Sequence, residues 1–263
     1  MQAAGAHLEE AGGWGEIKQI YMRLQHGKCG YCERQLSGGQ KREHDIEHFR
    51  PKSRVDAYLA MDFPTGDEHP AGYPLLAFHP FNYVVTCKTC NSDWKRSFFP
   101  IAGARITDRL HLRDYAPERP YLIFPLGPLA EGEPAPEQII TFDGFLATPA
   151  VPREQNEYWH RTGLLTIHLL GLNARNGLRE ERARILVQIF PLLEQVYPRP
   201  IHSSGETAGR HRSARTALAR FTDASAPHAN CARSFEALYQ RDPGRARFWF
   251  DGSRKYLKRL GRY

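Results

Sequence analysis

Ile17, Ile20, Tyr21 and Leu24 recur at helical spacing, so a short amphipathic helix is expected ahead of residue 28. The period then changes. Ser37-Gly38-Gly39 reads as a turn, residues 45–49 as a strand stopped by Pro51, and Tyr83-Val84-Val85-Thr86 as a second strand of β-branched and aromatic residues. A helix is expected to open at Asn91 and run toward Phe99, where Pro100 ends it. Between the strands, residues 54–81 carry Pro64, Gly66, Pro70, Gly72, Pro74 and Pro80. That connection is long for a compact domain, which marks an insertion or a substrate-facing element. Residues 117–152 are rich in Pro and Gly around two apolar runs, 121–124 and 139–142, and read as a β-hairpin-like excursion. Leu178, Ile185, Leu186, Ile189, Leu193 and Val196 then mark one helix face, with Asn173 as N-cap. A polar linker over 198–209 and helices over 214–221, 231–240 and 245–260 complete the chain. The pattern predicts an α+β fold: a core in residues 1–116, a linker in 117–152 and a helical region in 153–263.

The chain has 263 residues, 41% hydrophobic and 25% charged, which is globular composition with ample length for a core. No apolar run approaches the ~18 residues of a membrane span. Residues 1–10 are short, polar and acidic, unlike a secretion signal, so a cytoplasmic protein is expected. A net charge of +7 suggests a polyanionic partner. Arg50 and Lys52, then Lys95 and Arg96, are the candidate nucleic-acid contacts. The segment 241–263 holds eight Lys/Arg against two Asp and reads equally as a solvated helix face. Arg175, Arg179, Arg182 and Arg184 read as the solvated face of their helix.

Two cysteine pairs change this picture: Cys29-Gly30-Tyr31-Cys32 and Cys87-Lys88-Thr89-Cys90. In a reducing compartment such pairs favour metal over disulfide. Each two-residue spacer aims both sulfurs at one ion, and Zn²⁺ accepts four thiolates tetrahedrally, closing a structural site. A redox dithiol would call for a thioredoxin-like βαβ pattern, which is absent. Cys231 reads as a buried or incidental thiol. Between the pairs, Glu47-His48 offers a different chemistry. A neutral imidazole can take a proton from water near pH 7. The oxygens of Glu47 and Asn91 suit Mg²⁺ or Mn²⁺. Adjacent residues of a straight strand face opposite ways, so Glu47 and His48 share one site only where the strand twists or ends.

The runs Lys28-Cys29-Gly30-Tyr31-Cys32-Glu33, Ile46-Glu47-His48-Phe49-Arg50-Pro51-Lys52 and Cys87-Lys88-Thr89-Cys90-Asn91, with Lys95 and Phe99-Pro100 downstream, carry a family resemblance. This stretch resembles the zinc-stapled HNH endonucleases of the ββα-metal superfamily. More closely it is similar to the HNH proteins of Septu-type and retron-associated antiphage systems. The resemblance implies a strand–strand–helix core around a catalytic Mg²⁺ or Mn²⁺, stapled by structural Zn²⁺. His48, Glu47, Asn82 and Asn91 would be its catalytic residues, with Asn82 holding the loop or orienting the base. It implies phosphodiester hydrolysis, DNA favoured over a tRNA-type RNA substrate. It also implies an ABC- or SMC-like ATPase partner, docked on residues 153–263. The reading from another class is a non-catalytic, zinc-stabilised nucleic-acid-binding or adaptor module.

Overall fold

The β-branched run that ends at Cys87 forms the expected strand. The computed structural model describes residues 13–36, 44–197 and 206–263. In it, β1 (His44–His48) pairs antiparallel with β2 (Tyr83–Cys87). The register sets His44 opposite Cys87, Glu47 opposite Val84 and His48 opposite Tyr83. β2 is buried along its whole length, whereas β1 is buried only at His44 and Glu47. α1 (Gly13–Leu24) packs on this sheet. The expected turn at 37–39, residues 1–10 and residues 198–205 of the expected linker lie outside the described residues.

The helix expected from Asn91 to Phe99 is a shorter and wider element, a π-helical segment spanning Thr89–Lys95. Cys90 N–H donates to Cys87 Sγ at 3.4 Å inside it, and its last residue, Lys95, is carried into the interior. The segment breaks at Arg96, whose φ of 49° no helix continues. Isolated π turns of this kind recur at functional sites.

The long connection between the strands is tied down along its length. Val55 and His69 form a β-bridge, and Tyr73 N–H donates to Pro51 O at 2.8 Å. Gly72 permits that approach: its φ is +58°, and a Cβ there would lie 2.5 Å from Pro51 O. The connection then delivers a buried aromatic cluster. Phe49 meets Phe99 and Phe124 edge-on at 5.1 Å each, and Tyr73 meets Phe99 at 5.5 Å. Such edge-to-face contacts add about 0.5–1.5 kcal/mol each to the burial of the rings themselves.

The chain divides into two compact units, residues 1–140 with 149–170 and residues 141–148 with 171–263. The first includes α3 (Glu157–Leu169), a helix the apolar spacing did not disclose, N-capped by Asn156 accepting from Trp159 N–H at 3.1 Å. Residues 121–124, expected in a hairpin, are not a strand. Their backbone is satisfied by α3: Thr166 Oγ1 donates to Tyr121 O at 3.1 Å and accepts from Ile123 N–H at 3.2 Å. The hairpin forms one run later. There α2 (Pro136–Ile139) leads into β3 (Ile140–Asp143) and β4 (Leu146–Pro149), turning at Gly144 with φ +60°.

The second unit is mainly helical. Against α4 (Asn176–Val196) pack α5 (Glu206–Thr222), α6 (Ala229–Arg241) and α7 (Pro243–Arg259). Phe190 of α4 stacks on Phe250 at 4.5 Å. Two expectations are corrected here. Asn173 is not the N-cap of α4, a position held by Arg175. Its amide instead clasps Ala147, accepting from N–H and donating to O, both at 2.8 Å. Arg182 is not on a solvated face: it is buried, with its guanidinium 4.8 Å over the Phe142 ring and donating to Leu172 O at 2.8 Å. Cys231 is buried as expected. Among the described residues no helix is long and apolar enough to cross a membrane.

Candidate functional site

The sequence brings its four paired cysteines to one point through two tight turns. The first follows α1, where His26 and Gly27 take positive φ of 54° and 68°. Gly30 then lies so close to β2 that a Cβ would meet Val84 Cγ1 at 2.6 Å, while its N–H donates to Val85 O at 3.0 Å. Gln25, buried, completes the link. Its Nε2 donates to Lys28 O at 3.0 Å and Val85 O at 2.7 Å, and its Oε1 accepts from Val85 N–H at 2.8 Å. No periodicity signal marked Gln25, which stands in for a third strand beside β2. The second turn is the junction of β2 with the π segment.

All four Sγ atoms are buried and lie within 4.8 Å of one another. Cys32 Sγ is 3.9 Å from Cys87 Sγ, against about 3.8 Å between sulfurs that share a tetrahedral zinc at ~2.3 Å. The electrostatics point the same way. Hydrogen bonds from neighbouring thiols make Cys87 and Cys32 the easier thiolates. Burial holds the Cys29 thiol protonated, and its neighbours do the same for Cys90. Four buried sulfurs cannot all ionise against each other, and a divalent cation that accepts all four removes the conflict. The donor set fits structural zinc.

Past this staple, β1 ends at the candidate catalytic pair. His48 Nε2 lies 2.9 Å from Ala77 O. A carbonyl only accepts, so Nε2 carries the proton of the neutral ring and Nδ1 the lone pair. Tyr83, opposite in the ladder, meets the imidazole edge-on at 5.3 Å and donates to the same carbonyl at 2.8 Å. Burial is the main cause that lowers the His48 pKa from 6.5 to about 4, with Lys52 and Lys95 adding to it against the pull of Ala77 O. The imidazole is therefore neutral at pH 7. The unfolded chain takes this proton near pH 6.5 and the folded chain only near 4, so His48 costs no stability above 6.5 and increasingly disfavours folding as pH falls toward 4. A histidine-resolved NMR titration of zinc-loaded protein should show His48 titrating well below pH 6. Titration near 6.5 would mean the ring is not buried as described.

His48 lines an open cleft of about 850 Å³ with Lys18, Arg23, His44, Asp45 and Lys52. Glu47, on the alternate face of the strand, is buried against Lys95, whose ammonium contacts Oε1. Burial raises the Glu47 pKa and the Lys95 charge opposes that rise. The strand thus keeps its alternation, and the structure brings His48 together with Lys52 and Glu47 together with Lys95. Asn82, fully buried, fixes the turn beyond them. Its Oδ1 accepts from Arg50 N–H at 2.8 Å, and its Nδ2 donates to Arg50 O at 3.0 Å and Leu76 O at 3.1 Å. Asn91 is part-exposed in the π segment.

The four basic candidates separate. Lys52 and Arg96 are exposed, where a phosphate can reach them. Arg50 and Lys95 are placed otherwise than expected. Lys95 is 0% exposed and serves as counter-ion to Glu47. Arg50 is 3% exposed, its guanidinium 5.1–5.6 Å over the rings of Phe49, Phe99 and Tyr115, with Nε donating to Glu118 at 3.1 Å. An arginine beside a histidine motif looks like a phosphate ligand until its buried carboxylate, 68 residues away, is known. For a catalytic cation, Glu47 and Asn91 offer hard oxygens of the kind Mg²⁺ takes while keeping several waters. A cation at Glu47 must share that carboxylate with Lys95.

Comparison with known proteins gives one informative match. The chain is similar to the Septu protein PtuB of Bacillus mycoides (strain KBAB4). The two are 35% identical over 87 residues, which is 32% of this chain and 26% of the relative. The match thus spans about a quarter of the relative's length. No family model and no solved structure matches the chain.

Proposed function

We infer that this chain is a metal-dependent HNH-type endonuclease acting in Septu-type antiphage defence, with DNA as its substrate. The observation that carries the reading is His48: a neutral imidazole with Nε2 tied to Ala77 O, at the end of a zinc-stapled strand, on the wall of a cleft that also holds Lys18, Arg23 and Lys52. The similarity to PtuB supports the defence role.

In this reading His48 Nδ1 takes a proton from water as the water oxygen attacks phosphorus. The P–O3′ bond breaks, leaving a 5′-phosphate, and the 3′-oxygen is reprotonated from solvent. The hydrogen bond to Ala77 fixes the ring and the tautomer for that transfer. Lys52, with Lys18 and Arg23 in the cleft, attracts the phosphodiester backbone. Asn82 holds Arg50 and so the end of β1. Glu47 and Asn91 would hold Mg²⁺ or Mn²⁺, which when bound offsets charge on the phosphoryl oxygens and the leaving group. An ABC- or SMC-like ATPase, docked on residues 153–263, is the proposed partner.

The test is cleavage of plasmid DNA and of total tRNA by zinc-loaded protein with Mg²⁺ or Mn²⁺. Cation-dependent cutting of DNA that falls at least about a hundred-fold in Asn91→Ala, in the range of a lost transition-state contact, is the expected result. Cutting of tRNA alone would move the substrate to RNA. Binding without cutting under any cation would leave the zinc-stabilised binding module, the reading that the Glu47–Lys95 pair favours.

A further inference from the structure

The turn that supplies the His48 acceptor also presents two exposed aromatic rings. Ala77 O receives His48 Nε2–H and Tyr83 Oη–H. Phe78 follows it directly and is 40% exposed, and Phe81, ahead of Asn82, is 64% exposed. His79 lies between them, its ring 6.0 Å from that of Phe81. This segment is rigidly held. Asn82 is bonded to Arg50 and Leu76, Pro80 opens a 3₁₀ turn, and Tyr21 of α1 donates to Pro80 O. Two phenyl rings on a fixed turn, one residue from the carbonyl that orients the candidate base, are not explained by packing, since exposed phenylalanine contributes little to a core.

We propose that Phe78 and Phe81 stack on unpaired bases of a strand whose phosphodiester lies at His48, so that the site takes single-stranded or locally unpaired nucleic acid. This rests on the nuclease reading above and adds the form of the substrate. Every base offers a π-face, but in a duplex those faces are covered by their neighbours, so protruding rings are useful only to bases already out of the stack. The charge is placed to match. Lys52 and Arg54 are exposed on the strand exit that Asn82 clasps, and Lys18 and Arg23 line the cleft beside His48. Phosphates can run along the cations while bases turn toward the rings. A protein partner seated on an apolar surface would also use the exposed aliphatic residues of α1, Ile20 and Leu24, which cannot stack.

The test measures binding apart from cutting. Zinc-loaded protein without Mg²⁺ or Mn²⁺ is titrated by fluorescence anisotropy into labelled single-stranded DNA, single-stranded RNA of the same sequence, and the duplex. The wild type should bind single strands more tightly than duplex, and the two single-stranded arms show which sugar is preferred. Phe81→Ala should weaken single-strand binding roughly five-fold or more, the low end of one lost base stack, and leave duplex binding unchanged. Phe81→Trp should bind as the wild type, Phe81→Leu as the alanine variant, and Leu24→Ala should change nothing. Equal loss on single strand and duplex, no loss in Phe78→Ala/Phe81→Ala, or an equal loss in Leu24→Ala would overturn the proposal and leave a protein-docking patch. Failure of the nuclease reading shows separately, as wild type that binds these strands yet cuts none when cation is added.

Discussion

Removing zinc, by chelation or by Cys87→Ser, is expected to unfold the β1–β2 ladder rather than loosen it. Cys87 closes β2, Cys90 opens the π segment, and Cys29 and Cys32 lie in the turn that Gly30 and Gln25 tie to Val85. The sheet has only two strands, too few to stand alone in water. Structural zinc contributes apparent binding energies of about 10–16 kcal/mol, as large as the whole net stability of a domain, about 5–15 kcal/mol. Hydrogen exchange should therefore show protection at residues 44–48 and 83–87 collapsing when zinc leaves. Zinc analysis should give one ion per chain for the wild type. Unchanged protection after complete chelation would show that hydrophobic packing alone holds the ladder.

The next largest effect is expected from Glu118→Ala. Glu118 is 0% exposed and accepts from Arg50 Nε at 3.1 Å, Tyr73 Oη at 2.7 Å and Ile106 N–H at 2.9 Å. Burial and this carboxylate together push the Tyr73 hydroxyl far above its usual pKa, so it remains a donor at any working pH. Deleting the carboxylate leaves the Arg50 guanidinium buried without an anion, a loss of about 3–5 kcal/mol. Because Asn82 holds the Arg50 backbone, the end of β1 should loosen as well. Replacing both partners with apolar residues, Arg50→Met/Glu118→Leu, should recover much of the stability, since it removes the stranded charge. Denaturant midpoints of the three proteins measure this. A loss under about 1 kcal/mol for Glu118→Ala would mean that Arg50 finds water or another anion.

Local chemistry was legible in this sequence; long-range pairing was not. The strands at His44–His48 and Tyr83–Cys87 follow from β-branched residues and Pro51, and the cysteine cluster follows from its spacing alone. Lys95 and Arg50 show where that kind of reading stops. Each sits among polar residues in a segment that looks solvated, and each is buried because a carboxylate far along the chain, Glu47 or Glu118, waits inside for it. Charge pairing across such separations leaves no periodic trace. Asn173 was misassigned for a related reason: its amide could cap a helix or clasp a strand, and only the tertiary neighbour, Ala147, decides. The π segment was hidden too, because nothing in residues 89–95 separates five-residue from four-residue hydrogen bonding until both Cys90 and Lys95 must point inward.

The claim on which the rest depends is that His48 supplies the base for phosphodiester cleavage. The direct measurement is single-turnover cleavage of labelled DNA by His48→Ala and by wild-type protein, both verified to hold zinc and the same far-UV circular dichroism. The account predicts a rate loss of at least about a hundred-fold in the variant, the contribution of a positioned general base, with binding of the same DNA unchanged. Cleavage at the wild-type rate by zinc-loaded His48→Ala would contradict it.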